Sequence, residues 1–373
     1  MRVLTFLHSF EPGGVERTAL RLVRHWQAAG HDAPLVLGRE DGPLRAEAEG
    51  LAWTSFSDGR FPTGWCETLW MVARLPRAIR ALRPDVLFCA GNTYSVVAVA
   101  MRMLLGRACP PILAKVSNDL VRNDMVAPYR WLYHQWLQLQ RPAIDRLVAI
   151  APPMRDEVAF YFRQSPREIS LVNDPVIEAL PSLTHRRRVT SGTRFVAAGR
   201  FERQKNFPLL LEAFAAGSGP ADTLTLFGEG DGRAGLERQV ERLGLASRVT
   251  MPGFVHGLPE RLGDFDVFIL PSRFEGAPAV VVEALAAGIG VIATRCSVSM
   301  AHLLGDGRFG ALVPVDDVEA LARAIRQPPK PDPHNQRAHA SQFSAGAAAG
   351  AYWREFEQLA GVRASFAPSE VRC

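Results

Sequence analysis

The sequence lacks the features that mark secreted and membrane-spanning proteins. Its five cysteines are scattered, odd in number and without a CxxC pair, which argues against a disulfide framework or a zinc site. No uninterrupted apolar run reaches about 18 residues, so no membrane-spanning helix is expected. The amino-terminal stretch MRVLTFLHSF lacks the regions of a signal peptide and is typical of a first core strand. Together these absences predict a cytoplasmic protein.

The excess of positive over negative charge is also small. The formal net charge is only +5, and three of the 43 basic residues are lysines, the rest being arginines. An excess of this size suits an anionic ligand or an anionic membrane surface, but it is too small to indicate nucleic acid. We therefore expect no nucleic-acid partner.

The order of the apolar runs indicates two similar halves. The 373 residues are too many for one typical domain and suit two. Short β-branched runs such as RVLTFLH and DVFILPS alternate with helical patterns, which predicts parallel, doubly wound α/β sheets. Rossmann-like domains are predicted at 1–178 and 190–327, joined by an aperiodic linker at 173–194. An amphipathic helix at about 346–362 is a candidate to pack back on the first domain.

Two loops that follow strands carry glycines or cations, and such loops bind ligands in doubly wound folds. HSFEPGGVERTAL enters a helix through Gly13 and Gly14, where the backbone can approach an anion closely. An ordinary strand–helix turn explains these glycines equally well. AAGRFERQKNF places Arg200 and Lys205 between a strand and a helix, where two cations can hold a diphosphate without a metal. The alternative is a pair of solvated surface charges.

A third loop, TLTLFGEGDGRAGLE, contains a GxGxxG pattern at Gly230, Gly232 and Gly235. This pattern occurs in NAD-binding folds, where an acid at the end of the next strand holds the ribose. Here the next strand, RVTMPGF, ends without an acid, which weakens the NAD interpretation. The glycines still suit close contact with a nucleotide, and an NAD-dependent oxidoreductase or epimerase remains an alternative.

The fourth loop begins the stretch SRFEGAPAVVVEALAAG, which has Glu275 in a turn and Glu283 within an apolar helix. A carboxylate among valines, alanines and leucines is costly unless something pairs with it. Pro278 suits the first position of a helix, whose free amides would face an anion or a sugar hydroxyl. The two glutamates can then flank one ligand. The alternative is a surface glutamate and a buried one paired with an arginine.

Taken together, these motifs resemble family 4 glycosyltransferases, which are retaining, nucleotide-sugar-dependent enzymes of the GT-B fold. In that fold two Rossmann-like domains face a central cleft. The resemblance covers most of the chain and rests on GGVER, GRFERQKNF, FGEGDGRAGLE, the PGF turn and especially PSRFEGAPAVVVEALAAG, which matches the family's E-x7-E signature.

This resemblance implies a transferase that moves a sugar from a UDP- or GDP-sugar to a glycan or lipid-linked acceptor. It implies no metal and no other cofactor, and a place in bacterial cell-surface polysaccharide or lipopolysaccharide synthesis. A non-catalytic nucleotide-sugar-binding subunit is the alternative.

The resemblance also implies roles for individual residues. Arg200 and Lys205 neutralise the departing diphosphate. Glu275 holds the hydroxyls of the donor sugar, and Glu283 accepts hydrogen bonds from the ribose. The other residues implied in donor binding are Gly13, Gly14, Gly228, Phe254, Gly276, Ala277, Pro278 and Ala279.

The sequence departs from the family pattern at one position. Many members have a histidine after the fourth or fifth strand, where this chain reads AKVSNDLVRN. Asn118 can bind a sugar hydroxyl but cannot act as a base, and Asp119 is the candidate base. Same-face attack, in which the leaving phosphate takes the acceptor's proton, does not need the histidine.

Aromatic and basic residues are mixed in VRNDMVAPYRWLYHQWLQLQRPAIDR, which includes Trp131, Tyr133, Trp136 and several arginines. One interpretation is a peripheral contact with an anionic membrane at its inner face, next to a lipid-linked acceptor. The other is an amphipathic helix packed on its own domain.

Overall fold

The computed structural model describes residues 1–11, 13–56, 66–122, 125–181 and 192–366. The chain forms two compact units, which we call the first unit (Met1–Pro175 with Ala345–Cys373) and the second unit (Val176–Ser344). Part of the predicted linker, residues 182–191, lies outside the described residues.

A seven-stranded parallel sheet forms the centre of the first unit, with the strand order β3-β2-β1-β4-β5-β6-β7. Its strands are β1 (Val3–Leu7), β2 (Leu35–Leu37), β3 (Trp53–Ser55), β4 (Val86–Cys89), β5 (Ile112–Val116), β6 (Arg146–Ala149) and β7 (Ile169–Leu171). The helices between them are α1 (Gly14–Ala28), α2 (Glu67–Leu82), α3 (Ser95–Leu105), α4 (Ala127–Gln140) and α5 (Pro152–Phe162). Strand order reverses between β1 and β4, which makes this the switch point of the sheet.

The second unit has a six-stranded parallel sheet in the order β10-β9-β8-β11-β12-β13. Its strands are β8 (Arg194–Ala198), β9 (Thr223–Phe227), β10 (Val249–Gly253), β11 (Val267–Leu270), β12 (Gly290–Thr294) and β13 (Ala311–Val313). Its helices are α6 (Phe207–Gly217), α7 (Arg233–Arg242), α8 (Leu258–Arg261), α9 (Ala279–Ala286), α10 (Met300–Leu303), α11 (Val318–Arg326) and α12 (Pro333–Ala340). The switch point lies between the adjacent strands β8 and β11.

Alternation along β8 shows why this sheet is covered on both faces. Phe195 and Ala197 belong to a core cluster that contains residues of α6 and α11. Val196 and Ala198 belong to a second cluster that contains residues of α9. Because successive side chains of a strand point to opposite faces, an apolar strand of this kind must lie between two helical layers. The predicted α/β class, with two Rossmann-like sheets, is therefore confirmed.

The carboxyl-terminal helix, α13 (Ala345–Phe366), packs on the first unit. Trp26 Nε1 donates to the carbonyl oxygen of Ala349 at 2.9 Å, and the Trp26 ring meets Phe356 edge to face at 5.2 Å. Ser170 Oγ donates to Glu355 Oε2 at 2.6 Å. Within the described part of the chain, no helix is both long and apolar enough to cross a bilayer.

Candidate active site

Lys205 and Glu275 meet at the switch point of the second sheet. Lys205 lies in the loop after β8 and Glu275 in the loop after β11, so adjacent strands deliver the two residues to one edge. The distance from Lys205 Nζ to Glu275 Oε1 is 2.6 Å, and the two side chains are only 19% and 12% exposed. Two motifs far apart in the sequence thus form one largely buried ion pair at the ligand-binding edge of the sheet.

Ser272 shares the carboxylate of Glu275 with the lysine. Its Oγ donates to Glu275 Oε1 at 2.9 Å, and the residue is fully buried. Thr294 Oγ1 in turn donates to the carbonyl oxygen of Ser272 at 2.5 Å. Sequence reasoning did not assign Ser272 a role, since a serine beside a turn carries no signal of burial.

The loop after β12 supports the Glu275 loop from the other side. The Glu275 N–H donates to the carbonyl oxygen of Cys296 at 2.9 Å, and Ser297 Oγ donates to the carbonyl oxygen of Gly276. Burial raises the pKa of the Cys296 thiol to about 12. The thiol is therefore neutral at physiological pH and adds no charge beside the ion pair.

The structure does not place Arg200 with Lys205. The Arg200 side chain is 73% exposed, and its Nη1 pairs with Glu202 Oε1 at 3.1 Å. An exposed pair of this kind contributes little free energy and rearranges at little cost. Of the two predicted cations, which both lie in the loop after β8, only Lys205 is paired with Glu275, and the role of Arg200 toward a diphosphate remains a prediction.

Close packing between the loops after β8 and β9 accounts for Gly230 and Gly232 of the GxGxxG pattern and for the neighbouring Gly228. Gly228 (φ 142°) lies against the carbonyl oxygen of Gly199, where a Cβ would clash. A Cβ at Gly230 (φ 151°) would lie 2.9 Å from Phe201 N, and Gly232 N donates to Phe201 O at 2.9 Å. At Gly228 and Gly230, only glycine combines a positive φ with so close an approach. These contacts explain Gly230 and Gly232 without a dinucleotide, whereas Gly235, in α7, has open space around its Cβ position.

The residues before α9 form a helix start without a side-chain cap. Pro278 is the N-cap residue, so the helix begins at Ala279, one residue later than predicted. Gly276 and Ala277 precede it and are half-buried. Because no side chain caps the first amides, they are available to phosphate or hydroxyl oxygens of a ligand.

Glu283 is less buried than its apolar neighbours predict. Val281, Val282 and Ala284 are fully buried, but Glu283 is half-buried, as are Ala279 and Val280. Helical periodicity places residues four apart on one face, so Glu283 shares the more open face of α9. Glu283 also interacts with a neighbouring group, as a carboxylate in an apolar helix requires, and its role toward a ribose stays a prediction.

An exposed aromatic ring borders the same sheet edge after β10. Phe254 is 67% exposed, and its ring meets His256 edge to face at 4.9 Å. Gly228 N donates to Gly253 O at 3.0 Å, which ties this loop to the one after β9. A solvent-facing ring at the ligand edge is suited to stack on a nucleobase.

In the first unit, the carboxylate of Glu16 lies beside the Gly13–Gly14 turn, where the sequence predicts close contact with a bound anion. Gly13 is the N-cap residue of α1, and a Cβ there would clash with the carboxylate of Glu16. Tyr94 OH donates to Glu16 Oε1 at 2.5 Å. Gly14, in contrast, has nothing within 4 Å of a Cβ position. Gly13 thus leaves room for Glu16, whose carboxylate lies at the positive end of α1.

A buried histidine that sequence reasoning missed also lies beside this switch point. His8 follows β1, its ring centroid is 4.7 Å from that of Tyr94, and its Nε2 has no partner among the described residues. Burial lowers the pKa of His8, and burial together with Glu16 raises the pKa of Tyr94. Both groups are therefore neutral near pH 7.

Asn118 and Asp119 follow β5, as predicted for the position of the family's histidine. Asn118 is exposed, whereas Asp119 is half-buried and interacts with a neighbour. The Ser117 N–H donates to Asn92 Oδ1 at 2.8 Å, which joins the loops after β4 and β5. The structure thus positions this segment at the ligand-binding edge of the first sheet.

Among the described residues, no three or more histidine, cysteine, aspartate or glutamate side chains are grouped closely enough to hold a metal ion. Asp266 ends the sequence DFD at 264–266, which has the spelling of a metal-binding DxD motif, and it lies at the amino end of β11. It accepts hydrogen bonds from Arg194 Nε and Nη2, both at 3.0 Å. It therefore links the starts of two strands, away from the ligand edge.

Comparison with known families covers both units. A model described as Glycosyltransferase Family 4 matches residues 12–177, and one described as Glycosyl transferases group 1 matches residues 192–328. The chain is also similar in structure to solved proteins at under 20% identity, of which two are described here. The lipopolysaccharide outer core galactosyltransferase WaaB superposes with a TM-score of 0.75 at 18% identity, over 96% of this chain and 99% of that one. Anabaena Alr3699/HepE, in complex with UDP and glucose, superposes with a TM-score of 0.70 at 19% identity, over 98% of this chain and 100% of that one.

These matches define the fold as GT-B, that of nucleotide-sugar-dependent glycosyltransferases. More narrowly, the chain belongs to the family 4 glycosyltransferases. The resemblance inferred from the motifs is confirmed, and the oxidoreductase alternative is set aside.

Curated relatives are similar over parts of the chain. The N-acetylgalactosaminyltransferase of Campylobacter jejuni that acts on N-acetylgalactosamine-N,N'-diacetylbacillosaminyl-diphospho-undecaprenol is 29% identical over 265 residues, 69% of this chain and 70% of that protein. LpsE of Rhizobium meliloti, a lipopolysaccharide core glycosyltransferase, is 35% identical over 132 residues, 35% of this chain and 38% of its own length. An exopolysaccharide phosphotransferase of Streptomyces coelicolor is 31% identical over 193 residues, 51% of this chain. The chain spans only 20% of that last protein's length.

Proposed function

We propose that this protein is a retaining glycosyltransferase that builds a bacterial cell-surface polysaccharide or lipopolysaccharide. It would move a sugar from a nucleotide-diphosphate sugar to a glycan or lipid-linked acceptor. The observation that carries the proposal is the Lys205–Glu275 pair at the switch point of the second sheet. One cation suited to a diphosphate lies beside one carboxylate suited to sugar hydroxyls, next to a helix start without a side-chain cap.

In this proposal, the donor replaces one partner of the ion pair. The diphosphate takes the Lys205 ammonium from Glu275, while Ser272 stays on the carboxylate and the sugar hydroxyls donate to it. The exposed Arg200 leaves Glu202 for the diphosphate, and the ribose reaches Glu283 on the open face of α9. Phe254 borders the base. The HepE complex with UDP and glucose favours UDP-sugars as the first donors to test.

The reaction that follows needs no resident cofactor. The bond between the donor sugar and the diphosphate breaks, and the acceptor oxygen attacks the same face of the sugar. The leaving diphosphate takes the acceptor's proton, so no protein base is required. Lys205, Arg200 and the first amides of α9 neutralise the charge that develops on the diphosphate, usually the largest contribution to catalysis. We assign Asn118 and Asp119 to the hydroxyls of the acceptor.

Membrane contact is the second part of the proposal, and α4 supports it. Tyr129, Trp131, Leu132 and Leu139 are exposed on this helix, beside the exposed Arg141. The aromatic residues Tyr133 and Trp136 instead line a cavity of about 40 Å³ inside the first unit. Helix α4 thus packs through Tyr133 and Trp136 while Trp131, Leu132 and Leu139 are exposed elsewhere on its surface, an arrangement suited to the surface of an anionic bilayer where a lipid-linked acceptor resides. We place the protein at the inner face of the cell membrane.

The direct test is sugar transfer with a panel of UDP-, GDP- and ADP-sugars and a polyprenyl-diphosphate-linked sugar as acceptor. Wild-type protein should release a nucleoside diphosphate and form a glycoside whose anomeric configuration, read by NMR, equals that of the donor. A product of inverted configuration would refute the retaining mode. Donor binding without transfer to any acceptor of the panel would favour the non-catalytic subunit.

A further inference from the structure

The loops that carry Lys205 and Glu275 are joined by more than their ion pair. The Arg273 N–H donates to the carbonyl oxygen of Gln204 at 2.8 Å. Gln204 Nε2 donates back to the carbonyl oxygen of Phe274 at 2.9 Å. The residue before Lys205 is therefore fixed to the two residues before Glu275.

Asp316 joins the same two loops from a third one. It lies after β13, and its Oδ1 accepts from Arg273 Nε at 2.9 Å and from Asn206 Nδ2 at 2.9 Å. Arg273 Nε is also 3.2 Å from Asp316 Oδ2, and Arg273 Nη1 donates to the carbonyl oxygen of Arg203 at 3.0 Å. One carboxylate and one guanidinium thus connect the residues on both sides of Lys205 to the Glu275 loop. We call Arg273 and Asp316 the clasp.

The two residues joined by the Asn206–Asp316 hydrogen bond both have a left-handed backbone conformation. Asn206 has φ 55° and is fully buried, and Asp316 has φ 57°. Asparagine and aspartate tolerate this conformation better than other residues with a Cβ. Such conformations persist where surrounding contacts fix them, and they are frequent at functional sites. The Asn206–Asp316 hydrogen bond is one of the contacts that fix them here.

We propose that Arg273 and Asp316 are positioning residues, which hold the Lys205 ammonium and the Glu275 carboxylate at the spacing that one nucleotide-sugar engages. This inference rests on the proposed function and assigns two further residues to it. The clasp side chains are 34% and 50% exposed, and ion pairs with that exposure add little to stability. A displacement of about 1 Å at a binding site, in contrast, can cost about 100-fold in activity. The clasp therefore acts on geometry more than on stability.

The same two strands provide a matched control at their other end. Arg194 and Asp266 form an arginine–aspartate pair between the starts of β8 and β11, with side chains 21% and 42% exposed. This pair resembles the clasp in chemistry and exposure but lies at the amino edge of the sheet. Arg194→Ala should thus reproduce any general effect of losing an exposed ion pair from this unit.

The test compares Arg273→Ala and Asp316→Asn with Arg194→Ala. Asp316→Asn keeps a residue that accepts the left-handed backbone and removes the charge that Arg273 pairs with. Titration with UDP-glucose should show binding weakened about 10- to 100-fold in both clasp variants. UMP lacks the glucose and the second phosphate of UDP-glucose, so its binding should be unchanged. Hydrogen exchange of the ligand-free clasp variants should be faster at 203–206 and 272–276, and the control should match wild type in every measurement.

Two results would overturn the inference while the proposed function stands. One is wild-type affinity for UDP-glucose in both clasp variants, with unchanged exchange in the two loops. The other is equal weakening of UMP and UDP-glucose, since that indicates a general structural effect. If wild-type protein itself binds no nucleotide-sugar, in the titration or in the donor panel, the proposed function fails and the inference fails with it.

Discussion

At the scale of single residues, the candidate site centres on one carboxylate oxygen, Glu275 Oε1, which two side chains bind. Glu275 Oε1 accepts from both Lys205 Nζ and Ser272 Oγ, so the carboxylate is neutralised by one group and oriented by another. Removing the lysine would leave a largely buried carboxylate without its countercharge, a costly arrangement. The two residues assigned to the donor therefore stabilise each other before any ligand arrives.

Cys296 gives a prediction at this scale. Burial raises the pKa of its thiol to about 12, above the ordinary value, so the neutral form dominates at every pH well below that value. Because only the thiolate is the nucleophile, Cys296 should resist iodoacetamide at pH 8 in the folded protein. Mass spectrometry of the peptide that contains Cys296 measures the modified fraction, with protein unfolded in guanidinium as the control. Rapid modification in the folded protein would show that this loop is not packed as described.

At the scale of elements, the glycines of the GxGxxG pattern after β9 differ in what surrounds them. Gly230 has a φ of 151° and lies against the Phe201 backbone, whereas Gly235 is in helix α7 with open space around it. Both belong to the GxGxxG pattern, and the pattern alone does not distinguish them.

We expect Gly230→Ala and Gly235→Ala to change stability in opposite directions. Gly230→Ala should lower the free energy of unfolding by about 2 kcal/mol or more, since it imposes both strain and a close contact. Gly235→Ala should raise it by about 0.5 to 1 kcal/mol, since alanine is the better helix former. Urea unfolding measures both. Equal and small effects would contradict the loop packing.

Helix α4 gives a second prediction at this scale. Leu132→Glu would place a negative charge on its exposed apolar face, without touching the residues that line the internal cavity. Flotation with vesicles containing phosphatidylglycerol should recover wild-type protein and little of the variant, whereas Leu69→Glu on α2, where the leucine is 71% exposed against 55% for Leu132, should behave as wild type. Recovery of both variants with the vesicles, or of neither wild type nor variant, would contradict membrane contact through α4.

At the scale of the whole molecule, the fold class and the family follow from patterns that are local in sequence. Alternation of apolar runs and helices predicts two parallel sheets, because each run must be covered on both faces. The loops after strands predict which residues reach the ligand edge, and Lys205 and Glu275 meet there at 2.6 Å, while their roles toward a donor stay predictions.

What the sequence did not reveal depends on contacts between distant segments. Ser272, the clasp and the Glu16–Tyr94 bond have no motif of their own, since each depends on a partner from another loop. The half-burial of Glu283 depends on which face of α9 meets the sheet, and a wholly apolar helix does not reveal that face. Likewise, Arg200 and Lys205 are close in sequence, yet Lys205 pairs with Glu275 from another loop while Arg200 is exposed and pairs with Glu202.

The central claim is that Lys205 binds the diphosphate and Glu275 the sugar of one donor on the second unit. The most direct measurement is calorimetric titration of UDP and UDP-glucose into Lys205→Ala, Glu275→Gln and the control Lys330→Ala, an exposed lysine in the same unit. We predict that Lys205→Ala weakens both ligands by about 10-fold or more, and that Glu275→Gln weakens UDP-glucose while leaving UDP unchanged or tighter. Lys330→Ala should match wild type. Unchanged affinity for both ligands in Lys205→Ala and Glu275→Gln, with wild-type protein binding them, would contradict the account.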